Sequence, residues 1–238
     1  MAAGVSHWSF GNVTLFRVNP PLTRLIATLP VVAASPNKDW HRASTDLTIR
    51  SEWVVGQDFI IANRAMHFFA MARWACIPLS LLGACICGHW ASQLYGRVSG
   101  YLALSLWCFC PTILAHAQVV GPDVGAAAIG VAATYVFWKW LHRPDWGTTF
   151  VAGVLLGLAE LTKLTWIVLF LLWPVVWLVR RLGGTEAEGA NETTHNGSRK
   201  GKTYWVGAGL QLGLILLLAI YVINLGYGFE GTLGKLGE

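Results

Sequence analysis

The chain has 238 residues, of which 55% are apolar and only 12% are Asp, Glu, Lys or Arg, about half the ~25% charged content of a soluble globular domain. With a mean hydropathy of +0.52, this balance excludes a soluble core, a disordered tail and a coiled coil, and makes the chain a membrane protein. The net charge of +5 does not point to nucleic acid, because the basic residues flank apolar blocks and form no continuous patch.

Residues 1–65 are of mixed character, with Pro20-Pro21, an apolar run at 22–34 and a polar segment at 35–52. The stretch is too long and too polar for a signal peptide. Pro20-Pro21 suits a helix start, since proline is tolerated in the first turn and fixes the entering backbone. The run 22–34 retains Arg24 and Pro30, so it is expected to lie at an interface and not to cross. Residues 1–65 therefore read as an outside loop carrying interfacial helices, and 66–238 as a transmembrane helix bundle.

The fold expected is all-α integral membrane, with about six spans at roughly 70–90, 98–119, 123–141, 148–161, 164–180 and 205–226, each near the ~20 residues that cross hydrocarbon. The fourth and fifth meet at Glu160-Leu161-Thr162-Lys163, too charged for the bilayer centre and hence an interfacial turn. Gly153-x-x-x-Gly157, Gly209-x-x-x-Gly213 and the small-residue run 125–130 offer close helix contacts. The segment 182–203 reads as a solvated cytoplasmic loop. Glycosylation-like triplets begin at Asn12, Asn191 and Asn196, and the latter two lie in this loop. Most of the thirteen tryptophans stand near span ends, as aromatic belts require.

One alternate set of connections carries Arg97, Lys139, Arg143, Arg180, Arg181, Arg199, Lys200 and Lys202, whereas the other carries Lys163 and Lys235 alone. Positive-inside bias puts the first set in the cytoplasm and the N-terminal segment outside. That segment nevertheless holds Arg17, Arg24, Lys38, Arg42, Arg50, Arg64 and Arg73 with no span before them. The expectation is that at least one N-terminal transmembrane helix is missing, and the abrupt end at Glu238 suggests a truncated C-terminus as well.

Polar residues beside apolar spans are the chemical candidates, because placing them there costs free energy unless they pair or meet water. Three groups share the outside surface on this topology: Arg17 and Asn19 before Pro20-Pro21, the loop 116–123 with His116 and Asp123, and the Glu160/Lys163 turn. Each has a plainer reading. Asp123 precedes an Ala-rich helix and suits an N-terminal charge, His116 suits an interface hydrogen bond, and Lys163 suits snorkelling to head groups. Together they would place a cation by a carboxylate, as needed to hold a lipid-linked phosphate and activate an acceptor hydroxyl. Cys85-x-Cys87 and Cys108-x-Cys110 point to different sides of a helix, so no shared metal is expected. No P-loop, G-x-G-x-x-G or H-E-x-x-H is present, which leaves a nucleotide-using enzyme unsupported.

The collinear order Asn19-Pro20-Pro21-Leu22, Ala72-Arg73-Trp74, Leu94-Tyr95-Gly96, Pro111 through His116, Pro122-Asp123 and Gly157 through Lys163 resembles bacterial membrane glycosyltransferases of the GT-C class. The nearest branch is the one related to protein O-mannosyltransferases and lipid A aminoarabinose transferases. The resemblance implies a polyprenyl-phosphate-linked sugar donor, a lipid, glycan or protein acceptor at the outer face, and inversion, without a nucleotide-sugar site; no cofactor, metal ligand or nucleic-acid partner is assigned from the sequence. It also implies a multi-pass protein among the lipids of the bacterial cytoplasmic (inner) membrane. Asp123 would be catalytic, and Arg17, Asn19, His116 and Lys163 would bind substrate. Asn19 stands where relatives often have histidine. The principal acid of that family precedes the Pro-Pro-Leu motif and has no counterpart here, so the chain is expected to be inactive alone. The rival is a non-enzymatic multi-span protein, a transporter fragment or assembly subunit. A transporter would need a polar pathway that the spans, nearly free of ionisable residues, do not offer.

Overall fold

The computed structural model describes residues 1–12, 15, 16, 18–37, 39, 51–64, 66–189 and 197–230. Arg17, and the part of the expected loop that holds Asn191 and Asn196, lie outside the described residues. Among the described residues ten α-helices follow one another: α1 Ala2–Phe10, α2 Leu22–Ala33, α3 Ser51–Asn63, α4 Met66–Tyr95, α5 Arg97–Phe109, α6 Pro111–Ala117, α7 Pro122–His142, α8 Trp146–Thr162, α9 Val168–Gly189 and α10 Gly197–Gly226. The 3-10 turn Leu164–Ile167 joins α8 to α9.

The protein is a multi-pass integral membrane protein. Among the described residues four stretches are long and apolar enough to cross, Met66–Tyr95, Pro122–His142, Leu164–Gly183 and Trp205–Gly226, and a fifth results if α5 and α6 form one span. At two places the structure differs from the six uniform spans expected. The segment expected to cross at 98–119 is broken by a 55° bend between α5 and α6. Cys110 there is extended, with φ −66° and ψ 119°, because the ring of Pro111 disfavours helical backbone in the residue before it. The second is α8, which has only 17 residues, giving about 25 Å against a hydrocarbon core of about 30 Å. In the segment read as a loop at 182–203, α9 continues to Gly189 and α10 is already helical from Gly197.

Close packing sets the order of the bundle. Hydrocarbon tails are as apolar as leucine, so helices associate through van der Waals contact and small residues. A Cβ on Gly157 would stand 2.6 Å from Val222 Cβ and 2.8 Å from the Ala219 carbonyl oxygen, and one on Gly153 would meet Ile215 O at 3.0 Å. The Gly153/Gly157 pair thus seats α8 directly on α10. Gly209 and Gly213 do not act this way, since Gly213 has nothing within 4 Å and Gly209 meets only the Trp177 ring at 3.5 Å. Between α7, α8, α9 and α10 lies a core containing Phe137, Trp140, Leu156, Trp173 and Ile215. Phe137 and Trp173 stack at 4.2 Å between ring centroids.

Helices α1 to α3 pack on the start of α4 through a second cluster of Val5, Ala27, Val31, Phe59, Phe68 and Ala72. Gly4 permits the α1–α2 approach, because a Cβ there would fall 2.7 Å from the Arg24 carbonyl oxygen. Leu106, Leu171 and Leu217 on α5, α9 and α10 are exposed, as lipid-facing positions must be.

Candidate functional site

The site forms where α6 ends, α7 begins and α8 ends. Gly121 is the extended residue before α7, Pro122 occupies its first turn and Asp123 follows. Proline there is preorganised for the helix, and a carboxylate in the first turn meets the positive end of the helix dipole. At the end of α8, Lys163 leaves the helix with φ −157° and ψ 126°. The 3-10 turn then carries Trp166 onto α7, at Gly130, where a Cβ would overlap the indole ring. Only glycine leaves room for that ring, and its seating holds the turn, with Lys163 in it, against α7.

Lys163 Nζ donates to Asp123 Oδ1 at 2.9 Å across 40 positions of sequence. His116 Nδ1, from the last turn of α6, lies 3.3 Å from Asp123 Oδ2. The structure therefore brings His116, Asp123 and Lys163 together, with both Asp123 oxygens engaged. Glu160 is not part of this group among the described residues. It is buried, and its Oε1 has no hydrogen-bond partner.

Beside the trio lies a cavity of ≈ 730 Å³ whose wall includes Val120, Gly121 and Pro122, the three residues before Asp123. Asn19, Thr23 and Arg24 line it from the start of α2, and Trp53, Gln57 and Ile60 from α3. Asn19 thus stands on the cavity wall, apart from the trio. Arg24 is the residue that sequence reasoning passed over. Its guanidinium donates to the Phe16 carbonyl oxygen and, through the same nitrogen, to the Asn19 carbonyl oxygen at 3.5 Å. Its Nε is buried without an acceptor, as is the Oγ1 of neighbouring Thr23 without a partner. Among the described residues no carboxylate is within ion-pair distance of Arg24, and none lines the cavity. Burial lowers the pKa of Arg24 from its ordinary value, opposed by Tyr227, and the guanidinium nevertheless keeps its proton at neutral pH. The signal for it was in the sequence. A single arginine in an otherwise apolar helix start is costly unless something anionic or polar meets it.

The arrangement can bind an anion that carries apolar mass, with a positive charge inside a largely apolar chamber and an ion-paired carboxylate at its edge. Among the described residues no three His, Cys, Asp or Glu side chains group so as to hold a metal ion. No protein-family model, curated protein or solved structure matches the chain.

Proposed function

We propose that this multi-span membrane protein binds a lipid-linked phosphate in the Arg24 cavity and holds it without chemistry of its own, as a binding or assembly subunit. The observation that carries this reading is a half-buried guanidinium that, among the described residues, has no carboxylate partner and sits in a cavity with no acid on its wall. A buried charge without a counter-ion is expensive, and an anionic ligand relieves that cost. A general base needs a free carboxylate in reach of the acceptor, whereas Asp123 is engaged at one oxygen by the Lys163 ammonium and at the other by the His116 ring. The test is saturable retention of radiolabelled polyprenyl phosphate by the purified protein, with retention falling when Arg24 is replaced by Gln.

A second reading is favoured by the convergence of His116, Asp123 and Lys163 next to the cavity wall. In it the protein belongs to a membrane glycosyltransferase, with transfer of a sugar from a polyprenyl-phosphate donor to an outer-face acceptor, with inversion. The acceptor hydroxyl would attack the anomeric carbon, its proton passing to Asp123, while the phosphate leaves with its charge balanced by Lys163. Proton transfer of this kind contributes about 10²- to 10⁴-fold. Product formed from a radiolabelled lipid-linked sugar separates this reading from the first, which gives retention without product.

A further inference from the structure

The opposite end of the bundle, where α4 and α7 finish and α8 begins, holds a separate cavity of ≈ 680 Å³. Gln93, Trp138, Lys139, His142, Arg143 and Thr148 form most of its wall. Asp145 also lines it, but its carboxylate is occupied by the backbone N–H of Thr148 at 3.0 Å and the Thr148 hydroxyl at 2.7 Å. Among the described residues neither Lys139 nor Arg143 has a carboxylate within ion-pair distance. Basic residues in the last turn of α7 complement its dipole, which explains Lys139 and His142 singly. It does not explain a cavity with an aromatic wall.

That wall is preset. Trp138 stacks on Tyr135 at 6.1 Å and meets Trp90 at 5.9 Å. The Tyr135 hydroxyl donates to Gln93 Oε1 at 3.2 Å, which ties α7 to α4. His142 is held by its Nδ1, 2.8 Å from the Trp138 carbonyl oxygen. Lys139 and Arg143 stand four residues apart, hence on one side of the chain as α7 ends. Trp146 and Phe150 are exposed on the first two turns of α8, the same turns that carry Thr148 of the cavity wall.

We propose that this cavity binds the phosphodiester head group of an anionic glycerophospholipid. Two cations with no carboxylate at ion-pair distance among the described residues, Lys139 feeling Asp145 only at longer range, supply charge-assisted hydrogen bonds to one phosphate. Trp138 takes the amphipathic position of an indole at the membrane boundary, and the Trp146/Phe150 surface receives the acyl chains. A free phosphate ester would meet the same cations but gain nothing from that surface. Basic pockets between membrane helices are where such head groups lodge, each Lys or Arg contributing about fivefold in affinity.

The experiment uses the whole chain in phosphatidylcholine nanodiscs doped with phosphatidylglycerol, with co-released lipid counted by native mass spectrometry. Lys139→Gln with Arg143→Gln is expected to weaken phosphatidylglycerol retention about 30-fold and to leave phosphatidylcholine retention unchanged. Arg97→Gln, at the first residue of α5 and outside the cavity wall, is expected to leave both unchanged. Equal phosphatidylglycerol retention by the double variant would overturn the site. So would an equal loss from Arg97→Gln, which would mean diffuse surface charge. Displacement by glycerol 3-phosphate or inorganic phosphate would overturn it in favour of a soluble anion. Should the double variant not fold, the two single variants decide on the same terms, each at about fivefold.

Discussion

Replacing Lys163 with Ala separates a structural role for the Asp123 ion pair from a functional one. At 2.9 Å the bare attraction is about 6 kcal/mol at an effective dielectric of 20 and about 1.4 kcal/mol in water, before desolvation and side-chain entropy are subtracted. The two side chains are 42% and 41% exposed, so solvent screens the pair and the net value falls to about 0.2–1 kcal/mol. Asp123 also keeps its place at the start of α7 after the substitution, with His116 beside it. The expected stability loss is therefore at most about 1 kcal/mol, or roughly 2–4 °C in the thermal midpoint for a chain of this size. Thermal unfolding followed by circular dichroism in one detergent, on Lys163→Ala, Asp123→Asn and the double variant, gives the coupling between them. A coupling above about 3 kcal/mol, the range of buried pairs, would make the pair a structural strut and remove the reason to place it in a site. In the second functional reading, the same two variants lower sugar transfer by about 10²-fold or more while remaining folded and inserted.

Three further outcomes follow from the packing. Gly157→Leu should separate α8 from α10, since even a Cβ meets Val222 at 2.6 Å; a loss of about 1–3 kcal/mol or more is expected from overpacking, measured as a lowered thermal midpoint. Gln211→Leu removes one oxygen that accepts from both Trp140 Nε1 at 2.9 Å and Thr149 Oγ1 at 3.1 Å. The buried Trp140 indole N–H is left unmet at about 1–3 kcal/mol, while the Thr149 hydroxyl keeps the Asp145 carbonyl oxygen at 2.7 Å, and Gln211→Glu should recover part of the loss. Asp145 caps α8, and the Thr148 hydroxyl, followed by its backbone N–H, holds the Asp145 carboxyl below its ordinary value. Its folded value lies under its unfolded one, so the cap's contribution is complete above the ordinary carboxylate range and is lost as pH falls through the lowered value. The midpoint difference between the native chain and Asp145→Ala, about 1 kcal/mol at neutral pH, should shrink toward zero across that acid window.

The membrane class, most of the long helices and the trio were legible in the sequence because each rests on a local or alternating signal. Uninterrupted apolar length marks α4, α7 and α10, while the alternation of span ends put His116, Asp123 and Lys163 on one face before any contact was known. Other features were not legible. A proline effect as small as the backbone of Cys110 breaks a block that composition alone reads as one span. The pairing of glycines with partners is non-local: Gly153 and Gly157 are filled by α10, whereas Gly213 meets nothing. The Arg24 cavity was hidden for the same reason. Its hydrogen-bond acceptors are backbone carbonyls, which carry no residue code, and part of its wall comes from α3. Glu160 and Lys163, adjacent in the sequence reading, are parted by the end of α8, which buries one and turns the other to Asp123.

The most direct test of the binding function is the retention of radiolabelled polyprenyl phosphate by the purified chain and by Arg24→Gln, at equal protein and with transfer product sought in the same samples. Saturable retention by the native chain, weakened by about tenfold or more in the variant as a charge-assisted hydrogen bond is lost, without transferred sugar, is the expected result. Retention that is absent, or that is the same in the variant, would contradict it.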